Sequence, residues 1–301
     1  MNPITAYILI SFGFSWIVFL SVILLQLKAT DPIAVILMVL GMFGPFLASF
    51  IVTKFLKKES FTEKIGLKFK INRWFFVSWF IFVFIIFLTI FISTLFPKVS
   101  FSLKMEGFFE KYSYLLKDPS SLKMKEQMES KPILFFILAI IQSLFAGITI
   151  NALAAFGEES GWRGFLLNEY KEKSFIEASI RIGLIWGVWH SPVVANGLNY
   201  PQHPQIGVFM MIIWCILLTF IFNYLRIKSK TVLSSAVIHG TLNAMAGFSI
   251  LYIIGGNDIT VGITGLAGFL SLLIFNLIIF IYDIFISKEK IVLSKVKDKL
   301  I

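Results

Sequence analysis

Residues 74–96 read WFFVSWFIFVFIIFLTIFISTLF, a run without a single charged side chain. An α-helix of this length covers ~34 Å, which is enough to cross the ~30 Å hydrocarbon core of a bilayer. Backbone groups cannot stay unpaired in lipid, and the run lacks the alternation of a barrel strand, so it is predicted to be a helix. Comparable apolar runs flank it, near residues 4–27, 32–55, 135–167, 179–195, 206–224, 232–254 and 262–286. We therefore expect an all-α fold, a polytopic transmembrane helical bundle of about eight spans.

The overall composition excludes a soluble globular protein and makes the lipid bilayer a partner of the chain. Apolar residue types make up 57% of the 301 residues, and the mean hydropathy is +0.86, far above the range of soluble domains. The chain is also basic, with 27 Lys and Arg against 17 Asp and Glu. These basic residues follow the loops between spans, so we expect no nucleic-acid partner.

The distribution of the basic residues predicts how the chain is oriented. With the N-terminus inside, the inner side carries seven basic residues in 54–73, four in 163–181, three in 226–230 and five in 288–299, which is 19 of the 27. The short outer loops contain Lys28 alone, and the long outer loop near 97–131 mixes seven lysines with five acidic residues. The positive-inside rule then places both termini in the cytoplasm of a multi-pass protein of the cell membrane.

Three polar clusters interrupt the apolar spans, where charged groups usually have a function. They are Glu158-Glu159-Ser160-Gly161-Trp162-Arg163, Trp186-Gly187-Val188-Trp189-His190 and His239-Gly240-Thr241-Leu242-Asn243. Counted from the basic loops, Glu158 lies ~14 Å deep and His239 ~12 Å deep. The clusters can meet only if the glutamates are submerged. We expect them in a water-filled cavity that opens to the cytoplasmic side.

Helical spacing assigns a separate task to each glutamate. Glu159 and Arg163 are i,i+4 neighbours and are predicted to form a buried ion pair. Glu158 lies about 100° round the helix and is expected to be unpaired in an apolar wall, where it could act as a general base near neutral pH. Either Glu158 activates a water directly while His239 and Asn243 bind the oxyanion, or Glu158, His190 and His239 hold Zn²⁺. Asn243, one helical turn from His239, fits hydrogen bonding better than zinc ligation, which favours the metal-free arrangement.

Other polar residues of the spans and loops have simpler interpretations. Cys215 is expected to be a small packing residue and His203 an ordinary surface residue of an outer loop. Asp283 is interpreted as a snorkelling side chain near the inner end of the last span. The sequence contains no HExxH motif of a zinc protease and no GxSG motif of a rhomboid-type serine protease.

Taken together, the three clusters resemble the motifs of the CPBP family, the CAAX protease and bacteriocin-processing (Abi) group. The first cluster matches its EExxxR motif and the third its HxxxN motif. The second is similar to FxxxH, with Trp186 in the place of the Phe. The similarity covers about residues 145–250, and three motifs in the family's order on separate spans make it specific.

The resemblance implies an intramembrane endopeptidase, CAAX-protease-like and of the metalloprotease type if zinc is used, that cleaves a membrane-associated peptide or protein. It makes Glu158 the base that activates water, Glu159 and Arg163 its support, and His190, His239 and Asn243 the rest of the site. Residues 1–131 would then form an N-terminal three-helix region with a long outer loop, and 132–301 the catalytic membrane domain.

Two other functions fit the same sequence. A non-catalytic bacteriocin self-immunity or scaffold protein could keep the fold without cutting a peptide. A transporter is disfavoured, because transporters usually show broken segments in two matching halves, whereas the polar chemistry here lies in the second half.

Overall fold

A computed structural model describes residues 1–27, 31–111 and 119–300, and it is a bundle of helices. The helices in chain order are α1 (Pro3–Leu24), α2 (Pro32–Met42), α3 (Gly44–Ile51), α4 (Phe61–Ile65), α5 (Arg73–Ser93), α6 (Glu106–Lys111), α7 (Pro119–Ser130), α8 (Pro132–Ile148), α9 (Ile150–Glu159), α10 (Leu167–Glu169), α11 (Phe175–Trp189), α12 (Ser191–Ala195), α13 (Pro204–Ser229), α14 (Val232–Met245), α15 (Phe248–Leu251) and α16 (Leu266–Ile281). Helices α3, α9 and α16 continue into π-helical turns at Val52–Lys57, Ser160–Leu166 and Tyr282–Ile286. The last helical turn is a 3₁₀ turn at Val296–Asp298.

The expected fold class is confirmed, while several of the expected spans are built from short helices. Within the described residues, 5 helical segments are long and apolar enough to cross a bilayer, and a sixth arises if the bent pair of α7 and α8 counts as one. The five are Pro3–Leu24, Pro32–Lys57, Arg73–Ser93, Pro204–Ser229 and Leu266–Ile286. The other expected spans are divided into α8 and α9, α11 and α12, and α14 and α15.

The apolar stretch 132–167 is not one helix, which corrects the single span expected there. Thr149 has φ −109° and ψ −101°, far from helical values, and it separates α8 from α9. At this break the chain packs closely on α14, because a Cβ added to Gly240 would lie 2.3 Å from the carbonyl oxygen of Gly147. The break divides a rod of ~54 Å into two shorter helices and keeps the glutamates of α9 inside the bundle.

Helix α14 is the centre of the bundle, and its composition explains why. Small side chains such as Ser235, Ala236 and Gly240 allow neighbouring helices to approach closely, as is usual inside membranes. Helices α5, α8, α9 and α13 all pack on α14. Nearly all its residues from Val232 to Leu242 are buried, so His239 is carried into the interior.

The basic segments gather at one end of the bundle and close it by packing. Lys57 and Lys64 both place Nζ against Glu169 Oε1, at 2.7 and 2.6 Å. The side chain of Asn72 caps α5 and donates to the carbonyl oxygen of Ser229 at 3.1 Å. A further contact joins Lys297 to Glu172 at 2.7 Å. We refer to this region as the basic end.

The opposite end, here the loop end, is held together by loop contacts. Its two-stranded antiparallel sheet pairs β1 (Ser100–Phe101) with β2 (Ile253–Ile254). The hydroxyl of Tyr200 donates to the carbonyl oxygen of Thr264 at 2.7 Å. The ring of His203 places Nδ1 2.6 Å from Asp258 Oδ1. His203 is a surface residue of a loop, as expected, with its side chain 36% exposed, and its contact with Asp258 joins two loops that are distant in the chain.

Asp283 is another residue whose sequence interpretation needs correction. Instead of snorkelling towards water it is fully buried, and it accepts hydrogen bonds from the Tyr224 hydroxyl at 3.1 Å and the Val292 amide at 2.8 Å. The segment after the last span folds back onto the bundle, and this return provides the Val292 donor. The division of the chain at residue 131 stays a prediction.

Candidate active site

The two glutamates lie where a regular helix becomes a wider one. Glu158 and Glu159 end α9, and the next seven residues, Ser160–Leu166, form a π-helix whose residues are all buried. Single π-helical turns inside helices occur often at functional sites. The turn carries Trp162 and Arg163, so both side chains point into the same interior as the glutamates.

Glu159 is the centre of a buried ionic network. Its Oε1 lies 3.0 Å from Arg163 Nη1 and 2.8 Å from His239 Nδ1. The predicted pair of Glu159 and Arg163 is thus present, and both side chains are fully buried. Arg163 Nη2 also donates to the Thr219 hydroxyl at 3.0 Å. Shared hydrogen bonds of this kind are what makes a buried charge tolerable in a membrane.

Two aromatic rings enclose the arginine. The guanidinium carbon of Arg163 lies 4.3 Å from the ring centroid of Trp186 and 4.6 Å from that of Phe222. Such cation–π contacts reach about 2 kcal/mol or more when the pair is shielded from water. The rings fix the position of Arg163 and, through it, of Glu159.

Glu158 is not unpaired, contrary to the expectation from the helical spacing. Its Oε2 accepts a hydrogen bond from the indole Nε1 of Trp186 at 2.8 Å and a longer one from the indole Nε1 of Trp162 at 3.3 Å. Both donors are buried. The second oxygen, Oε1, has no hydrogen-bond partner among the described residues and is left for a ligand in the cavity that Glu158 lines.

The hydrogen bonds of the two histidines assign their free ring nitrogens. His190 Nδ1 lies 2.9 Å from the carbonyl oxygen of Trp186, and because a carbonyl only accepts, Nδ1 carries the hydrogen. His239 Nδ1 faces the Glu159 carboxylate, which likewise accepts. Nε2 is therefore the available nitrogen of each ring.

A single cavity of about 1240 Å³ brings the candidate residues together. Glu158, His190, His239 and Asn243 all line it, with Trp186 and Trp189 in its wall. Asn243 is exposed to this space, whereas His239 is 4% exposed. Arg163 and Glu159 do not line the cavity. Four of the six predicted site residues thus face a common space, and the other two lie behind them.

The cavity opens towards the loop end, which corrects the expected opening on the side of the basic loops. Its mouth is formed by Leu27, Gly107 and the segments 196–199 and 255–258. At the basic end, Phe61 and Ile65 of α4 pack on Val232. Together with the Lys57 and Lys64 contacts to Glu169, this packing seals the basic end of the bundle, where the opening had been expected.

The possible zinc arrangement does not fit the side chains as they are placed. Within the residues that the structure describes, no three His, Cys, Asp or Glu side chains are positioned to hold one metal ion. Glu159, rather than Glu158, is the carboxylate hydrogen-bonded to His239. We therefore derive no reaction step through a metal.

Several residues of the site were missed from the sequence. Trp162 and Trp186 hold Glu158, and Thr219 holds Arg163. A signal was present for the tryptophans, since Trp162 is the i+4 neighbour of Glu158 and Trp186 replaces the Phe of the family motif. Cys215 is buried as expected, with Sγ 3.8 Å from His190 Nδ1.

Comparison with known proteins finds similarity in the region that contains the six predicted site residues. Residues 133–245 match the family model described as Type II CAAX prenyl endopeptidase Rce1-like. A CAAX prenyl protease 2 of Methanococcus maripaludis is 36% identical over 63 residues, which is 21% of this chain and 22% of the relative. The matched segment thus covers about a fifth of the length of that relative. All six motif residues, from Glu158 to Asn243, lie within 133–245. Through this region the chain is similar to CAAX-protease-like membrane proteins, in agreement with the resemblance of its three motifs.

Proposed function

We propose that this protein is an intramembrane endopeptidase that hydrolyses a peptide bond of a membrane-associated peptide or protein. Glu158 is the general base, and the attacking water binds between its Oε1 and Nε2 of His190. The observation that carries the proposal is that Glu158, His190, His239 and Asn243 line one cavity. These side chains can provide a base and an oxyanion site around one space, which is the minimum needed for amide hydrolysis.

The reaction begins when Glu158 takes a proton from the water as its oxygen attacks the carbonyl carbon. Negative charge then develops on the carbonyl oxygen, where the Asn243 amide donates a hydrogen bond. When His239 carries both ring protons, Nδ1–H stays on Glu159 and Nε2–H donates to the same oxygen. Collapse of the tetrahedral intermediate breaks the C–N bond, and the proton held by Glu158 moves to the leaving amine.

Glu159 and Arg163 support this step without touching the substrate. Their hydrogen bonds fix the ring of His239 through Nδ1, so that Nε2 faces the cavity. A negative Glu159 also favours the doubly protonated ring that the oxyanion needs. The charge of Arg163 compensates that of Glu159, so the buried group stays close to neutral.

The decisive experiment replaces Glu158 with Gln, which is nearly isosteric and still accepts from the two indoles. The amide cannot take a proton from water, so peptide hydrolysis is expected to fall by about 10² to 10⁴ while the fold is kept. Glu177→Gln, at an exposed glutamate that pairs with Arg181, is the matched control and should retain activity. Wild-type turnover in Glu158→Gln would contradict the mechanism. A bacteriocin-immunity phenotype that survives this change would favour the non-catalytic alternative.

A further inference from the structure

We infer that the catalytic cavity opens on the non-cytoplasmic face of the membrane, and that the substrate is a peptide or protein presented from that side. The inference rests on the proposed function for its substrate, but its geometry does not. Two independent observations carry it, the distribution of basic residues in the sequence and the position of the cavity mouth in the structure.

The basic segments lie together at the end that is closed. Ion pairs and hydrogen bonds join the segment 54–73 to Glu169 and to the end of α13 at Ser229. The C-terminal segment joins the same region through Lys297 and Glu172, and Ser174 forms a β-bridge with Lys295. These contacts bring together the segments 54–73, 171–181, 226–230 and 288–299, which hold 18 of the 27 basic residues. By the positive-inside rule this surface faces the cytoplasm.

The cavity mouth lies at the other end, where the lysines belong to the long mixed-charge loop and the short loops carry few basic residues. The segments 194–205 and 254–265 include mouth-forming residues and contain no Lys or Arg. None of the basic segments contributes a residue to the cavity lining. The long loop that also reaches this end mixes lysines with acidic residues, and such a loop has little influence on orientation. The open end therefore faces away from the cytoplasm.

The lining of the cavity indicates what kind of substrate enters it. Asn196, Gln202 and Asp258 provide polar groups around the mouth, whereas Val22 and Met38 are among the apolar residues that line its wall from α1 and α2. A polar rim with an apolar wall suits a translocated peptide whose apolar part remains in the outer half of the membrane. A soluble cytoplasmic peptide would meet the closed basic end instead.

Cysteine labelling tests the orientation without requiring activity. Leu198 is an exposed residue of the mouth and Lys70 an exposed residue of the basic end. In intact cells, a membrane-impermeant maleimide should label Leu198→Cys, and it should label Lys70→Cys only after the membrane is permeabilised. The wild-type chain, whose single cysteine is buried, should not react in either condition. Asn196→Cys and Lys288→Cys repeat the comparison at both ends in case one variant fails to fold.

A pattern in which the basic-end cysteines react in intact cells, or in which the mouth cysteines do not, would overturn the inference. A second measurement separates the inference from the proposed function. Reporter peptides anchored in the outer or the inner leaflet are offered to cells that express the protein, and only the outer reporter should be cut. Cleavage of the inner reporter alone would overturn the substrate assignment. Outer labelling without cleavage of either reporter would preserve the orientation and count against proteolysis.

Discussion

Replacing Arg163 with Ala tests the buried network at its most demanding point. The change removes the 3.0 Å contact to Glu159 and leaves a fully buried carboxylate with His239 as its remaining ionisable partner. Loss of one member of a buried ion pair typically costs about 3 to 5 kcal/mol. Arg163 Nε and Glu159 Oε2 have no partners among the described residues, and His239 can still compensate Glu159 when it is protonated. We therefore expect the lower end, about 3 kcal/mol.

The chain contains a matched control for this change. Arg181 and Glu177 form another i,i+4 pair, at 2.9 Å, but their side chains are 50% and 39% exposed. An exposed helical pair of this kind contributes far less than a buried one, because water and salt screen its charges. Arg181→Ala should therefore destabilise the protein several times less than Arg163→Ala, although each change removes an arginine from the same helical spacing.

The measurement is the free energy of unfolding, obtained by SDS titration in mixed micelles and followed by circular dichroism. Adding Glu159→Gln to Arg163→Ala should restore part of the loss, because the cost comes from the stranded charge rather than from the missing side chain. Equal destabilisation by Arg163→Ala and Arg181→Ala would refute the reasoning. So would a double variant that is less stable than Arg163→Ala alone.

Three further predictions follow from the site and its surroundings. Trp186→Phe removes the 2.8 Å donor to Glu158 and should lower kcat/KM by on the order of tenfold or more, whereas Trp79→Phe, which loses an indole hydrogen bond to the Leu144 carbonyl away from the site, should not. Burial opposes ionisation of Glu169, but hydrogen bonds from Lys57 and Lys64 prevail and lower the pKa of this carboxyl. The ionised Glu169 therefore stabilises the fold above the pKa of the unfolded state, and this stabilisation is lost as the pH falls through the pKa of the folded state. Glu169→Gln should reduce this acid sensitivity in melting curves recorded over a series of pH values. Chelators should leave peptide hydrolysis largely intact, and stoichiometric zinc in active protein that is absent from His239→Ala would contradict this.

The features that follow from local spacing could be predicted from the sequence. Hydropathy was sufficient for the helical bundle, because every backbone group in lipid must be paired within the chain. The i,i+4 spacing was sufficient for the pair of Glu159 and Arg163, because both residues belong to one helical segment. Residue depth also showed that Glu158 and His239 had to meet.

The features that depend on contacts between distant segments could not be predicted. The break at Thr149 is accompanied by the close approach of Gly147 to Gly240, which are 93 positions apart in the chain and show no local signal. The direction of the cavity depends on α4, a five-residue helix in a basic loop that packs on Val232. Counting residues from the basic loops correctly predicted that the three clusters meet, but it predicted access from the wrong end, because it contained no information on which end is sealed.

The carboxylates of Glu158 and Glu159 lie in different environments because consecutive residues of a helix point in different directions. A rotation of about 100° separates Glu158 from Glu159, so one residue reaches the cavity and the other the interior between α9, α13 and α14. In the interior Glu159 shares its Oε1 between a cation and an imidazole, and its role is to hold charge in place. At the cavity wall Glu158 has one oxygen fixed by neutral indole donors and the other free for a water. Neutral donors hold this carboxylate, and among the described residues no cation forms an ion pair with it. A carboxylate that is oriented through one oxygen and free at the other can accept a hydrogen bond from a water and take its proton, which is the role proposed for Glu158.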